Sequence, residues 1–104
     1  MINTTELRLN NWCYLAWEPF RFTVEAYSYR NELLDPIPLT EEILLKARFM
    51  SHKEGVFIIW KRLSLNLIGT TFHYSRDKRV KIQYVHQLQN LYFVLTGAEL
   101  QINL

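Results

Sequence analysis

Arg79 and His86 are separated by six residues, the loosest form of the arginine-histidine spacing found in one class of helical ribonucleases. The chemistry of such a pair would be RNA cleavage. Those enzymes are helical bundles that bring two such motifs together, whereas Arg79 falls in a predicted strand, and Arg48 and His52 are too close to supply the second motif. The pair therefore reads as a surface arginine and a helix histidine.

Other chemistry finds no better footing. His52, His73 and His86 lack the HxH, HExxH or Cys-His spacings that set ligands around a metal, so no metal site is expected. Cys13, the only cysteine, sits between Trp12 and Tyr14 with no adjacent base or cation, and reads as a small buried hydrophobe rather than a nucleophile. Glu41 and Glu42 form a carboxylate pair, but a helix N-terminus uses both. Only Gly55, Gly69 and Gly97 occur, far apart, which excludes a glycine-rich phosphate loop. The expectation is a protein without enzymatic activity or cofactor.

One feature carries a binding signature. Arg76, Lys78, Arg79 and Lys81, with Lys61 and Arg62, form a basic cluster whose aromatic neighbours Phe72, Tyr74 and Tyr84 could stack on bases if they share its face. The same charges also suit a solvated hairpin tip that keeps a sheet edge soluble. Nucleic acid, an acidic protein surface and plain solvation thus remain the alternatives.

Charge is unevenly distributed. Residues 1–45 carry three basic and seven acidic side chains, a net of −4, and residues 46–104 carry nine and three, a net of +6. An acidic and a basic face could each steer a charged partner. Glu32, Asp35, Glu41 and Glu42 are the acidic candidates, as nucleic-acid mimics in a basic channel. Fifteen aromatic rings exceed what a core of this size easily covers, so some are expected to face a partner or a second copy of the chain.

The 104 residues fit one domain spanning 1–104, with 49% hydrophobic and 21% charged residues. A lone cysteine suits a reducing cytosol. The first residues show no basic region followed by an apolar run, and no stretch is long enough for a membrane span. No membrane association is expected.

The elements that must position these residues follow from periodicity. Leu7 to Leu15, after an Asn10-Asn11 turn signal, and Phe20 to Tyr27 read as strands joined through Ala16 to Pro19. Asp35-Pro36-Ile37-Pro38 is extended. Thr40 caps a short helix from Glu41 to about Phe49, with Leu39 and Leu44 as its hydrophobic staple and Lys46 and Arg48 at its basic end. Val56 to Arg62, Leu63 to Leu67, Thr70 to Tyr74 and Arg79 to Ile82 read as strands, the last two a hairpin around Ser75 to Lys78. A final helix places Val85, Leu88, Leu91, Tyr92 and Leu95 on one face, with Gln83, Gln87 and Asn90 as its polar stripe and Gly97 as its C-cap. The fold class is α+β: an antiparallel sheet of about five or six strands, a short central helix, and a longer C-terminal helix packed on the sheet.

Three segments resemble a family of short, mostly uncharacterised proteins of bacterial, phage and prophage genomes. They are Glu6-Leu7-Arg8-Leu9-Asn10-Asn11-Trp12; Asp35-Pro36-Ile37-Pro38-Leu39-Thr40-Glu41-Glu42 with Leu44-Leu45-Lys46; and Tyr84-Val85-His86-Gln87-Leu88-Gln89-Asn90-Leu91-Tyr92-Phe93 with Leu95-Thr96-Gly97 and Glu99-Leu100. The family pattern has Gly where this chain has Asn10, at a tight turn, and an aromatic residue where it has Ile43. Small phage proteins of this kind often block host defence, and anti-CRISPR proteins are of this size. The resemblance therefore implies a non-enzymatic inhibitor of a bacterial defence effector or its guide RNA complex, such as a type VI RNA-guided RNase. Alternatives are a nucleic-acid-binding accessory protein and a phage structural or assembly protein that self-associates.

Overall fold

The computed structural model describes residues 7–8, 10–21, 34–59 and 63–104. Strands β1 (Trp12–Leu15), β2 (Glu18–Arg21) and β3 (Leu34–Asp35) precede helix α1 (Glu41–Lys46). Strands β4 (Met50–Lys53), β5 (Val56–Ile59), β6 (Leu63–Ile68), β7 (Thr71–Tyr74) and β8 (Asp77–Ile82) lead to helix α2 (Val85–Thr96). The expected α+β class is observed. Its strands divide between two antiparallel sheets, one ordered β2-β1-β3 and one ordered β4-β5-β6-β7-β8.

The first expected strand is shorter at its start, and the Asn-Asn pair explains why. Asn10 adopts a φ of +73° in a turn closed by the Asn11 N–H donating to the Arg8 carbonyl at 3.0 Å. Asparagine tolerates this left-handed conformation better than most residues, so the tight turn forms without glycine. Pairing then begins at Trp12. At the other end of β1, Ala16 and Trp17 both have positive φ (49° and 76°), the signature of a two-residue type I′ hairpin turn. Pro19 consequently lies inside β2 and not in the connection. The remainder of the second expected strand, 22–27, lies outside the described residues.

Helix α1 begins as its sequence dictates. Thr40 Oγ1 accepts the Ile43 N–H at 3.2 Å, and Leu39 and Leu44 are both buried. It stops at Lys46, earlier than Phe49, through a Schellman motif: the Phe49 N–H donates to the Leu44 carbonyl and the Arg48 N–H to the Leu45 carbonyl, both at 3.0 Å. Arg48 occupies the left-handed position of that motif at φ +69°. Glycine would adopt it without the Cβ clash, so Arg48→Gly is expected to stabilise the chain by about 0.5–1 kcal/mol in urea denaturation. The exposed strand β4 follows at once. Its Met50-Ser51-His52-Lys53 sequence offers no alternation from which a strand could be read.

The main core joins both sheets to α2. Trp12 of β1, Phe57 and Ile59 of β5, Leu63 and Leu65 of β6, Phe72 of β7 and Ile82 of β8 pack with Val85 and Leu88 of α2. Leu100 and Ile102 close it from the C-terminal tail, and the Trp12 indole N–H donates to the Ile102 carbonyl at 3.1 Å. A smaller cluster of Leu7, Cys13 and Leu34 lies with the three-stranded sheet.

Helix α2 buries less of its predicted face than the periodicity suggests. Val85 and Leu88 are fully buried and Leu91 and Tyr92 half-buried, but Leu95 is exposed together with Phe93 and Val94. The helix is anchored by its first half. Gln87 Oε1 accepts the backbone N–H groups of Gln83 and Tyr84 at 2.8 and 3.2 Å, and the C-cap Gly97, at φ +73°, donates to the Phe93 carbonyl at 2.8 Å. Gln89 and His86, which the apolar periodicity does not select, are buried beside Leu88.

Candidate functional site

The β7–β8 hairpin builds the basic face. Ser75 ties its turn to β6: the Ser75 N–H donates to the Ser64 carbonyl at 3.0 Å, and its hydroxyl donates to Asn66 Oδ1 at 2.6 Å. The His73 ring adds a second tie, its Nδ1–H donating to the Lys78 carbonyl at 2.8 Å. Register slips between the His73–Lys81 and Tyr74–Asp77 pairs, so Lys78, Arg79 and Val80 bulge out of the ladder. A bulge at a sheet edge re-aims side chains and obstructs further strand pairing. Arg76, Lys78, Arg79 and Lys81 are all exposed.

Asp77 is the acidic residue within this hairpin. Its carboxylate accepts Arg79 Nε and Nη2 at 3.0 and 3.1 Å, with the Arg79 backbone N–H at 3.1 Å. Arg79's hydrogen bonds hold the Asp77 carboxyl below its ordinary pKa range. The pair orients the Arg79 fork while Arg76, Lys78 and Lys81 project around it. Lys61 and Arg62 lie outside the described residues.

The aromatic neighbours do not join this face, contrary to the stacking expectation. Strand alternation turns Phe72 and Tyr74 toward the core, where the Phe72 ring meets Phe57 edge-on at 5.8 Å and 70°. Tyr84 is half-buried and stacks on His86 at 5.9 Å and 8°. The cations therefore stand without a stacking platform from these three rings. The arginine-histidine spacing fares no better: Arg79 is engaged with Asp77, and His86 is fully buried in α2.

The acidic candidates are less concentrated. Glu41 and Glu42 are exposed in the first turn of α1, where they complement the helix dipole. Lys46 lines the same shallow depression as Glu42, which weakens the local negative potential. Asp35 is half-buried in β3, and Glu32 lies outside the described residues.

A groove missed by sequence reasoning adjoins the basic hairpin. It is an open depression of about 490 Å³ between β8 and α2, with Val80, Lys81 and Ile82 on one side and Gln87, Leu91 and Val94 on the other. Arg8 also lines it. Its guanidinium donates to Asn90 Oδ1 and Glu99 Oε1, each at 2.7 Å, and lies 4.3 Å from the centre of the Phe93 ring. Arg8 is thus a long-range tie between the N-terminal segment, α2 and the tail.

That tie belongs to a larger knot. The Trp12 N–H donates to Gln89 Oε1 at 2.7 Å, Gln89 Nε2 donates to the Asn10 carbonyl at 3.2 Å, and the Arg8 N–H donates to Asn11 Oδ1 at 2.6 Å. The proline-containing segment meets the same helix start, as the Leu39 N–H donates to the Gln83 carbonyl and the Val85 N–H to the Ile37 carbonyl, both at 2.9 Å. Described residues of the N-terminal segment and of the proline-containing segment therefore converge on α2. These residues do scaffold work, while the basic hairpin lies between the proline-containing segment and α2 in sequence.

Cys13 is fully buried, and burial pushes its thiol up to about 11, opposite to the shift that activates a nucleophile. The raised value stabilises the fold below the ordinary thiol range. This contribution is expected to disappear as pH rises from about 9 to 11, because the unfolded thiol ionises first. Cys13→Ser should flatten that part of a urea-denaturation pH series relative to the parent chain.

No helix among the described residues is long and apolar enough to cross a membrane. Comparison with protein-family models, curated proteins and solved structures returned no match.

Proposed function

We propose that this chain is a non-enzymatic phage or mobile-element protein that binds and inhibits a bacterial defence effector in the host cytoplasm. The family resemblance implies the target class, a type VI RNA-guided RNase. The carrying observation is the β7–β8 hairpin, which presents Arg76, Lys78, Arg79 and Lys81 to solvent with Asp77 as its internal acid. Such a surface suits an acidic patch on the effector protein, because complementary charge accelerates encounter and selects the partner. The inward packing of buried Phe72 and half-buried Tyr74 favours this reading over base stacking on RNA.

The test is a pull-down with the tagged chain from a host expressing such an effector, with bound protein and RNA both identified. Direct capture of the effector and suppression of its RNase activity are expected. Capture of RNA alone, or recovery of no defence component, would overturn the proposal.

A further inference from the structure

Resting on the basic-hairpin reading, we propose that the groove between β8 and α2 receives an extended acidic segment of the partner, alternating apolar with Asp or Glu residues. The groove combines an apolar lining with cations beside it. Ile82 is buried and Leu91 half-buried, while Val80 and Val94 reach solvent, Val94 with 78% of its surface exposed. Lys81 stands between Val80 and Ile82, and Lys78 and Arg79 continue the positive charge along the same strand.

This order selects the shape of the occupant. Along β8, successive side chains turn to opposite faces, Val80 and Ile82 toward α2 and Lys81 toward the outer face with His73, and an extended chain laid beside β8 alternates in the same way. An apolar residue of that chain covers the Val80, Leu91 and Val94 surface, and the acidic residue beside it meets Lys81. Helix α2 contributes no charged residue and Arg8 is already paired with Glu99, so the negative charge is drawn toward the β8 rim. Among the described strands β8 ends its sheet, with β7 on one side only. The bulge at Lys78 to Val80 resists indiscriminate edge pairing, leaving recognition to the side chains.

Fluorescence anisotropy with three end-blocked octapeptides tests this: alternating valine and glutamate, alternating valine and lysine, and octaglutamate. The valine-glutamate peptide is expected to bind at least tenfold more tightly than either of the others. Val94→Asp and Lys81→Glu should each weaken it at least tenfold with unchanged circular dichroism, and Lys81→Glu should gain affinity for the valine-lysine peptide. Octaglutamate binding as tightly, with no effect of Val94→Asp, would overturn the groove and leave the hairpin reading standing. Failure of both acidic peptides to bind would overturn the groove proposal and count against the hairpin reading, which the effector pull-down decides separately.

Discussion

Replacing Gln89 with leucine is expected to destabilise the chain by about 2 kcal/mol, an effect usually associated with core residues. Gln89 is 2% exposed, and its Oε1 is the acceptor for the buried Trp12 N–H. Leucine has similar bulk but accepts no hydrogen bond, and a buried donor left unsatisfied costs about 1–3 kcal/mol. The Asn10 carbonyl also loses its donor, although it lies nearer solvent and water can replace it. For comparison, Leu88→Ala removes a fully buried side chain and is expected to cost about 3 kcal/mol through lost burial and the cavity left behind. Urea denaturation checks the ranking: Leu88→Ala, then Gln89→Leu, with Gln87→Leu milder because a half-buried position loses only the helix-start hydrogen bonds. A neutral Gln89→Leu would contradict the knot at the head of α2.

The second large effect concerns binding. Joint reversal of Arg76, Lys78 and Arg79 to glutamate turns three attractive contacts with an acidic partner into three repulsive ones. At about 1 kcal/mol for each exposed position, the loss approaches 3 kcal/mol, or roughly a hundredfold in affinity at low salt. Much of it should appear in the association rate and shrink as ionic strength rises, since charges farther apart than about 8–10 Å are screened. The side chains are exposed and the ion pair lost, Arg79 with Asp77, lies at the surface, so the melting temperature should move little. Surface plasmon resonance at two salt concentrations separates this steering from a packing defect, which would raise the dissociation rate at both.

The strand and helix order was largely legible because period-two alternation and helix-boundary residues act locally. Thr40, Leu39, Leu44 and Gly97 act within a turn or two of chain, and they hold the positions expected of them. Strand β4 was illegible because both its faces are exposed, leaving no hydrophobic pattern to read. The division into two sheets depends on pairing partners distant in sequence, which periodicity does not specify. Gln89 and Arg8 illustrate the same limit: their partners are 77 to 91 residues away, so nothing adjacent marks one as buried or the other as a tie.

The candidate site divides in the same way. Clustered basic residues around a turn signal placed the hairpin before any coordinates were needed. Which aromatics join it depended on alternation within β7, where His73 takes the outer face and Phe72 and Tyr74 the inner. The groove was invisible because it is made by β8 and the later turns of α2, whose exposed Val94 resembles any other apolar helix residue until the fold leaves it uncovered.

The central claim, that the basic hairpin is the docking surface, is tested most directly by comparing two charge-reversed variants for binding to the purified effector. One carries Arg76→Glu, Lys78→Glu and Arg79→Glu, and the other carries Glu41→Lys and Glu42→Lys at α1. The expected result is roughly a hundredfold loss for the hairpin variant at low salt, with affinity of the α1 variant retained. Full binding by the hairpin variant and loss by the α1 variant would contradict the account and transfer the interface to the acidic segment.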